Sequence, residues 1–376
     1  MPLKTCPLGG PKMKNTNPWK RSFAAGGVAL TFMAGAAQSE ETLTYATYLS
    51  DVFSVSKASH WLVDEIEKRS NGEIKFEKYV SGSLLTAPDL FPGLASGAVD
   101  IVMGAPHAYN VSEYPLANIL MPYMTTQIDA ITYAWGELYR NNADFRAEYE
   151  SKGVKPLFVS PYSENTIWST RPVETVEDLA GLKVRAVPPV SIALKELGAT
   201  PVALAWPEGV DGMRRGVVEG MSSAPFDSAV NAGLYEVAPY VTGAGTGALG
   251  VATIAISMDR YNSLSPELQK IIDEVSAEAT AKGLQFLDQT TDVAVEKLCG
   301  LKEPVTINVF SEAEVAKANA LASAKLEEAW LERASSEANV DGVAMLAEFK
   351  GYIQKFEETS QYVSGFARYN DTCTQN

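Results

Sequence analysis

The chain is short of the residues that most metal and hydrolytic sites require. Its 376 residues include three cysteines and two histidines, His60 and His107. There is no His-x-x-x-His, no paired Cys-x-x-Cys and no calcium loop, so no metal centre is expected. No Gly-x-Ser-x-Gly elbow accompanies either histidine, which removes the usual signature of a serine hydrolase. Gly243-Ala-Gly245-Thr-Gly247 lacks the lysine and following helix of a phosphate-cradling loop and reads as a turn, so no cofactor is expected. Basic residues are also scarce: 31 stand against 46 acidic ones, a net charge of −15. Such a field repels phosphate backbones and anionic lipid, so nucleic acid and membrane surfaces are disfavoured as partners.

What is present fits an exported globular protein, 46% hydrophobic and 20% charged. Lys14, Lys20 and Arg21 precede an apolar, small-residue run from Phe23 to Ala37, well below the ~20 residues that span a bilayer. Residues 1–38 therefore read as a cleavable signal peptide with cleavage near Ala37 or Gln38. Met13 is an alternative start. Lys-Arg-Ser-Phe at 20–23 echoes a twin-arginine signal with lysine in the first place. Cleavage takes five of the 31 basic residues and none of the 46 acidic ones, leaving a mature charge of −20. Cys6 leaves with it, so Cys299 and Cys373 remain, an even number in an oxidising compartment, and a disulfide fastening the C-terminal tail is expected over two unpaired thiols.

Short β-prone runs alternate with helical patterns, βαβα, from Leu43 to Met103: strands at Leu43–Tyr48, Ile74–Tyr79 and Val99–Met103, helices from Ser54 to Ser70 and from Thr86 to Gly97. The alternation implies a parallel sheet whose carboxyl ends collect ligands. A second unit repeats the rhythm after Pro161: strands Thr166–Ser169 and Lys183–Ala186, helices Val176–Leu179 and Ser191–Leu197, and a turn at 198–201. Ser222–Asp227 reads as loop. Leu249–Ser257 is a strand returning to the first unit. Ser265-Pro266 opens a helix reaching Leu298, Val305–Phe310 is a strand, Ser311 to Glu314 is a capping box, and Gly342–Ser360 is the last helix. The expected architecture is a two-lobed α/β fold of the periplasmic-binding type, with a hinge, a central cleft and a long helix bridging the lobes. Lobe one takes 39–162 plus about 249–290, and lobe two 163–248 plus about 291–376.

Arg185 stands inside a β-prone run, Leu182-Lys-Val-Arg-Ala-Val, at a strand end, where its guanidinium can offer two parallel hydrogen bonds to a carboxylate. An ordinary surface salt bridge is the alternative. His107 follows the Val99–Met103 strand in Gly104-Ala-Pro-His-Ala-Tyr109, the place where a sheet presents ligand contacts. His60 reads as a helix residue. Trp168 and Trp206 can stack on a ligand or fill the core.

Three stretches resemble the substrate-binding subunits of TRAP (tripartite ATP-independent periplasmic) transporters over nearly the whole mature chain. The first is Ser70-Asn71-Gly72-Glu73, Gly82-Ser-Leu-Leu and Leu94-Ala-Ser-Gly97-Ala-Val-Asp100-Ile. The second is Arg171-Pro-Val-Glu-Thr-Val-Glu-Asp178-Leu-Ala-Gly181-Leu-Lys-Val-Arg185 with Leu197-Gly-Ala-Thr-Pro201. The third is Gly216-Val-Val-Glu-Gly220, where Glu219 replaces the usual aspartate. The resemblance implies a monomeric periplasmic receptor that catalyses nothing, closes on a small organic acid and delivers it to TRAP permease subunits. It implies that Arg185 pairs with the ligand carboxylate and that Trp206 packs on the ligand. Ser223 stands where an asparagine contact is common, followed by Phe226 and Asp227. Contacts from lobe one fall on Tyr48 to Phe53 and Ala105 to Tyr109. Asn165 occupies the position of a second arginine in sialic-acid binders, which argues against that ligand. Tyr162, Trp168, Trp206 and Phe226 make an aromatic-rich pocket, so aromatic acids stand beside aliphatic dicarboxylates and oxo acids. A periplasmic ligand sensor shares the same cleft, and a hydrolase using His107, a serine and Asp100 is the rival from another class. On this reading, replacing Arg185 abolishes binding and leaves the fold intact.

Overall fold

The computed structural model describes residues 40–248 and 250–373. The signal segment, Cys6 and Leu249, the expected first residue of a strand, lie outside the described residues. The start of the chain folds as its alternation requires. Strand β1 (Glu41–Thr47) leads into helix α1 (Ser54–Arg69), which stops where Asn71 and Gly72 take φ of 51° and 79°, the left-handed turn that ends helices. Strand β2 (Ile74–Tyr79), helix α2 (Leu90–Ala95), strand β3 (Ile101–Gly104) and the short helix α3 (Pro106–Tyr109) follow. Two helices absent from the sequence reading, α4 (Ile128–Asn141) and α5 (Ala143–Glu150), pack on strand β4 (Val154–Pro161).

The second half contributes strands β5 (Asn165–Ser169) and β6 (Lys183–Arg185), helix α6 (Val190–Glu196), strand β7 (Thr200–Val202), helix α7 (Trp206–Arg214), strand β8 (Gly220–Pro225), helix α8 (Phe226–Asn231) and strand β9 (Tyr240–Gly243). The predicted helix at 176–179 is a single 3-10 turn, Glu177–Leu179. The turn at 198–201 runs into strand β7, and the expected loop at 222–227 is instead the end of β8 and the start of α8. Strand β10 (Val251–Ser257), helices α9 (Met258–Ser263) and α10 (Pro266–Cys299), strand β11 (Thr306–Val309) and helices α11 (Glu312–Ser336), α12 (Gly342–Glu357) and α13 (Gly365–Cys373) complete the chain.

The strands form two sheets, ordered β2-β1-β3-β10-β4 and β11-β9-β5-β8-β6-β7. Both are mixed rather than all parallel, because β10 runs antiparallel to β3 and β4, and β5 antiparallel to β8 and β9. Every residue of β10 is buried, as its unbroken run Val251-Ala-Thr-Ile-Ala-Ile-Ser257 demands of a strand covered on both faces. The chain passes between the sheets at 162–164 and again after β9, from 244 on.

Helix α10 is the third connection, 34 residues and therefore about 50 Å long. Ser265 caps its first turn, accepting from Leu268 N. Its buried residues recur every three or four positions, from Leu268, Ile272 and Val275 to Ala294 and Leu298. The first half packs on α1 and β4, where a Cβ at Gly283 would stand 2.7 Å from Ser160 Oγ and force that side chain to move. The second half packs on α8 and α13. Ser311 caps α11 by accepting from Glu314 N, and the expected disulfide joins Cys299 to Cys373 with Cα atoms 5.3 Å apart. The result is a two-lobed α/β fold with a cleft between the sheets and one long bridging helix.

Candidate functional site

The cleft is furnished from strand ends. Tyr48, Leu49 and Phe53 follow β1, His107 and Tyr109 follow β3, and Tyr162 follows β4. From the other sheet come Arg185 at the end of β6, with Val187 and Pro188 just beyond it, Trp206 opening α7 after β7, and Ser223 and Pro225 in β8. These strands point their carboxyl ends at the cleft, the edge where an α/β sheet presents its ligand contacts. Together the residues border a cleft with about 460 Å³ of empty space, part of it open to solvent.

Arg185 is at the centre and only 1% exposed. Nε donates to Leu204 O at 2.9 Å, and Nη1 donates to Ser222 O at 3.2 Å and Ser223 O at 3.1 Å. Nη2 donates across the cleft to Tyr109 Oη at 3.1 Å. A guanidinium carries five N–H groups, so one Nη2 hydrogen is left over. Among the described residues no carboxylate pairs with it, although buried cations ordinarily are paired. The parallel two-nitrogen grip expected from the sequence is thus already spent on backbone carbonyls. A carboxylate at this edge would meet one Nη2 hydrogen and the Tyr109 hydroxyl, which accepts from the arginine and still has a proton to give. The arginine is also a strut for three carbonyls, which would lose a donor on its removal.

The local sequence explains how this arginine is held. Ser223 adopts φ 49°, turning its carbonyl toward Nη1 while its hydroxyl accepts from Val187 N at 3.1 Å. Gly209 of α7 gives the side chain room: a Cβ there would stand 2.9 Å from Arg185 Cγ and 3.1 Å from Cδ. Trp206 lies with its ring 5.8 Å from Cζ of Arg185 and meets Phe53 edge to face at 5.6 Å. Tyr48 packs edge to face on Tyr109 at 5.5 Å, and its hydroxyl lies 3.3 Å from that of Tyr162. Burial raises the pKa of both Tyr48 and Tyr162, so these phenols stay protonated. Burial pushes His107 down to about 4, so its imidazole is neutral near pH 7.

Six of the ten expected ligand residues, Arg185, Trp206, Ser223, His107, Tyr109 and Tyr162, line the cavity. The other four lie elsewhere. Asn165 is a strut, with Nδ2 donating to Ser222 Oγ and Thr246 Oγ1 while Oδ1 accepts from Ala224 N. Trp168 sits fully buried in the core on β5. Phe226 packs on Phe366 at 5.1 Å, facing the C-terminal helix. Asp227 is closed in by hydroxyls, accepting from Ser163 Oγ at 2.7 Å, Ser228 Oγ at 3.2 Å and Thr290 Oγ1 at 2.8 Å. His60 lies beside Asp51, 3.2 Å away, and outside the cavity. The sequence reading missed Val187, Pro188, Pro225 and Gly209. Val187 and Pro188 directly follow the Arg185 strand end, a signal that would have found them.

A cation and phenols gathered at the facing carboxyl ends of two sheets define a protein that encloses a small solute between lobes. Residues 45–333 match the model for bacterial extracellular solute-binding proteins, family 7, and the chain belongs to that family, the solute-binding proteins of TRAP transporters. A curated relative, the ectoine/5-hydroxyectoine-binding periplasmic protein UehA of Ruegeria pomeroyi, is 28% identical over 297 residues, 77% of this chain and 85% of that one. A TRAP solute-binding protein from Rhodoferax ferrireducens, solved with copurified benzoate, superposes with a TM-score of 0.73 at 25% identity, covering 85% of this chain and 99% of that one. A marine-metagenome TRAP protein specific for aromatic acids, solved with 3-hydroxybenzoate, superposes at 0.74 with 25% identity over 85% of this chain and 99% of that one.

Proposed function

We propose that the protein is a periplasmic receptor that holds a small organic acid by its carboxylate against Arg185 and Tyr109 and delivers it to TRAP permease subunits. The observation that carries this reading is the buried guanidinium with no carboxylate partner among the described residues, facing the cleft. A ligand carboxylate supplies the counter-charge, and closure of the lobes excludes water and strengthens the pair. Trp206, Phe53 and the tyrosines give the acid an apolar envelope. The lobes correspond to the two sheets, divided near residues 162 and 248, with the hinge at those crossings and along α10. Benzoate and 3-hydroxybenzoate in two structural relatives support an acid cargo.

The same reading makes the protein a carrier and not an enzyme. No hydrogen bond reaches the His107 imidazole from the described residues. Asp100, its supposed partner, accepts from Thr44 N at 2.7 Å and lies 3.6 Å from Arg260. A base without an orienting acid or an adjacent nucleophile has no route to acyl transfer. A thermal-shift screen on protein stripped by unfolding and refolding tests the proposal, using carboxylates, sulfonates, sugars and neutral amino acids. A ligand at 100 times its Kd adds about 2.7 kcal/mol. Stabilisation by carboxylates alone is expected, and stabilisation by neutral solutes alone would contradict it.

A further inference from the structure

We infer that the cargo is a singly charged carboxylate carried on one flat ring, with no second ionised group. The inference rests on the receptor reading above and adds a charge inventory of the cavity. Among the described residues, Arg185 is the single ionised side chain in the lining. The Ser223 hydroxyl is committed to the backbone of Val187. What remains is three phenols and a neutral imidazole, whose pKa burial pushes down to about 4.

Each alternative ligand class leaves a charge unpaired. A second carboxylate would be buried with no cation to meet it, and only the Tyr48 and Tyr162 hydroxyls to donate. A ligand ammonium or amidinium would find no aspartate or glutamate in the lining. Buried charge is tolerated when paired and expelled when it is not, so dianions and zwitterions are both rejected. Shape narrows the class further. Phe53 meets Trp206 edge to face across the cleft and Tyr48 meets Tyr109 edge to face within the first lobe, presenting aromatic walls that favour a planar ring. The Tyr48 and Tyr162 hydroxyls, 3.3 Å apart, can take a neutral hydroxyl on that ring.

Calorimetric titration of the stripped protein at pH 7 tests this with ligands matched in shape. The set is 3-hydroxybenzoate, 3-nitrobenzoate, isophthalate and 4-(aminomethyl)benzoate, with butanoate and succinate as aliphatic counterparts. Isophthalate and 3-nitrobenzoate have nearly the same outline and differ in the second charge. The expected result is that 3-hydroxybenzoate and 3-nitrobenzoate bind at least about tenfold more tightly than isophthalate and the zwitterion, and benzoates more tightly than butanoate. Tyr48→Phe should reduce the preference for 3-hydroxybenzoate over 3-nitrobenzoate by about fivefold, by removing one hydroxyl partner. Equal or tighter binding of isophthalate, succinate or the zwitterion overturns the inference and leaves the receptor reading standing. Binding of butanoate in preference to every benzoate overturns the ring assignment. Failure of every carboxylate to bind overturns the receptor reading, and the inference with it.

Discussion

Arg185→Lys keeps the charge and removes the fork, so it separates geometry from electrostatics at the centre of the cleft. The guanidinium serves Leu204 O, Ser222 O, Ser223 O and Tyr109 Oη, and retains one Nη2 hydrogen for a ligand. An ammonium has three donors, so it must abandon two of those five duties. A buried carbonyl left without its donor costs about 1 kcal/mol. The charged bond to a ligand carboxylate is worth about 1.5–3 kcal/mol. The variant should therefore lose about 1 kcal/mol of stability in the ligand-free state and roughly 10- to 100-fold in affinity. Urea unfolding of stripped protein reads the first quantity and calorimetric titration the second. Affinity within about twofold of wild type would refute the reasoning, because it would mean that charge alone, without the fork, holds the ligand.

Other perturbations probe the frame around the site. His107 titrates at about 4 in the fold because it is buried, against about 6.5 in the unfolded chain. The unfolded state thus takes up the proton first, and up to about 3 kcal/mol of stability is lost as pH falls from about 6.5 to about 4; urea unfolding at both pH values should show that loss shrink in His107→Gln, and an equal loss in both proteins would contradict the assignment. Opening the Cys299–Cys373 link, which spans a sequence separation of 74, costs up to about 4.5 kcal/mol by chain entropy; a denaturation difference below about 1 kcal/mol for the Cys299→Ser/Cys373→Ser protein would count against that mechanism. Gly209→Ala gains about 1 kcal/mol of helix propensity while its Cβ crowds Arg185, so affinity should fall with stability little changed, and an unchanged Kd would show that the arginine can yield. Asn165→Ala should destabilise the fold by about 1–3 kcal/mol through orphaned partners while leaving ligand preference as it was, which the same titrations check.

Much of the fold was legible because its local signals agree with its tertiary structure. Ile74–Tyr79 is a strand with the bounds the sequence implied, and Ser54, Asn71-Gly72, Ser265-Pro266 and Ser311 to Glu314 mark helix ends that the chain uses. Helices α4 and α5 escaped notice because their aromatic and β-branched residues, such as Ile131, Thr132, Tyr133 and Trp135, weaken a helical reading until packing on β4 decides it. The stretch 222–227 looked like loop because serine, alanine and proline have low strand propensity, and the pairing of β8 with β5 and β6 overrides that. In the site, a strand end pointed to Arg185 and the family resemblance to Trp206, and both line the cleft. Residue type could not say which way a side chain faces. Trp168 and Phe226 are aromatic residues beside the cleft in sequence, yet both fill cores. On β8, Ser223 lines the cavity while its neighbour Ser222 bonds to Asn165, the alternation that a strand imposes and a list of residue types conceals.

The most direct test of the central claim is a crystal structure of the stripped protein saturated with the tightest-binding acid from the titration series. The account predicts one carboxylate oxygen within hydrogen-bond distance of both Arg185 Nη2 and Tyr109 Oη, with the rest of the molecule between Trp206, Phe53 and Tyr48. A carboxylate turned away from Arg185, or a ligand seated outside the cleft between the two sheets, would contradict it.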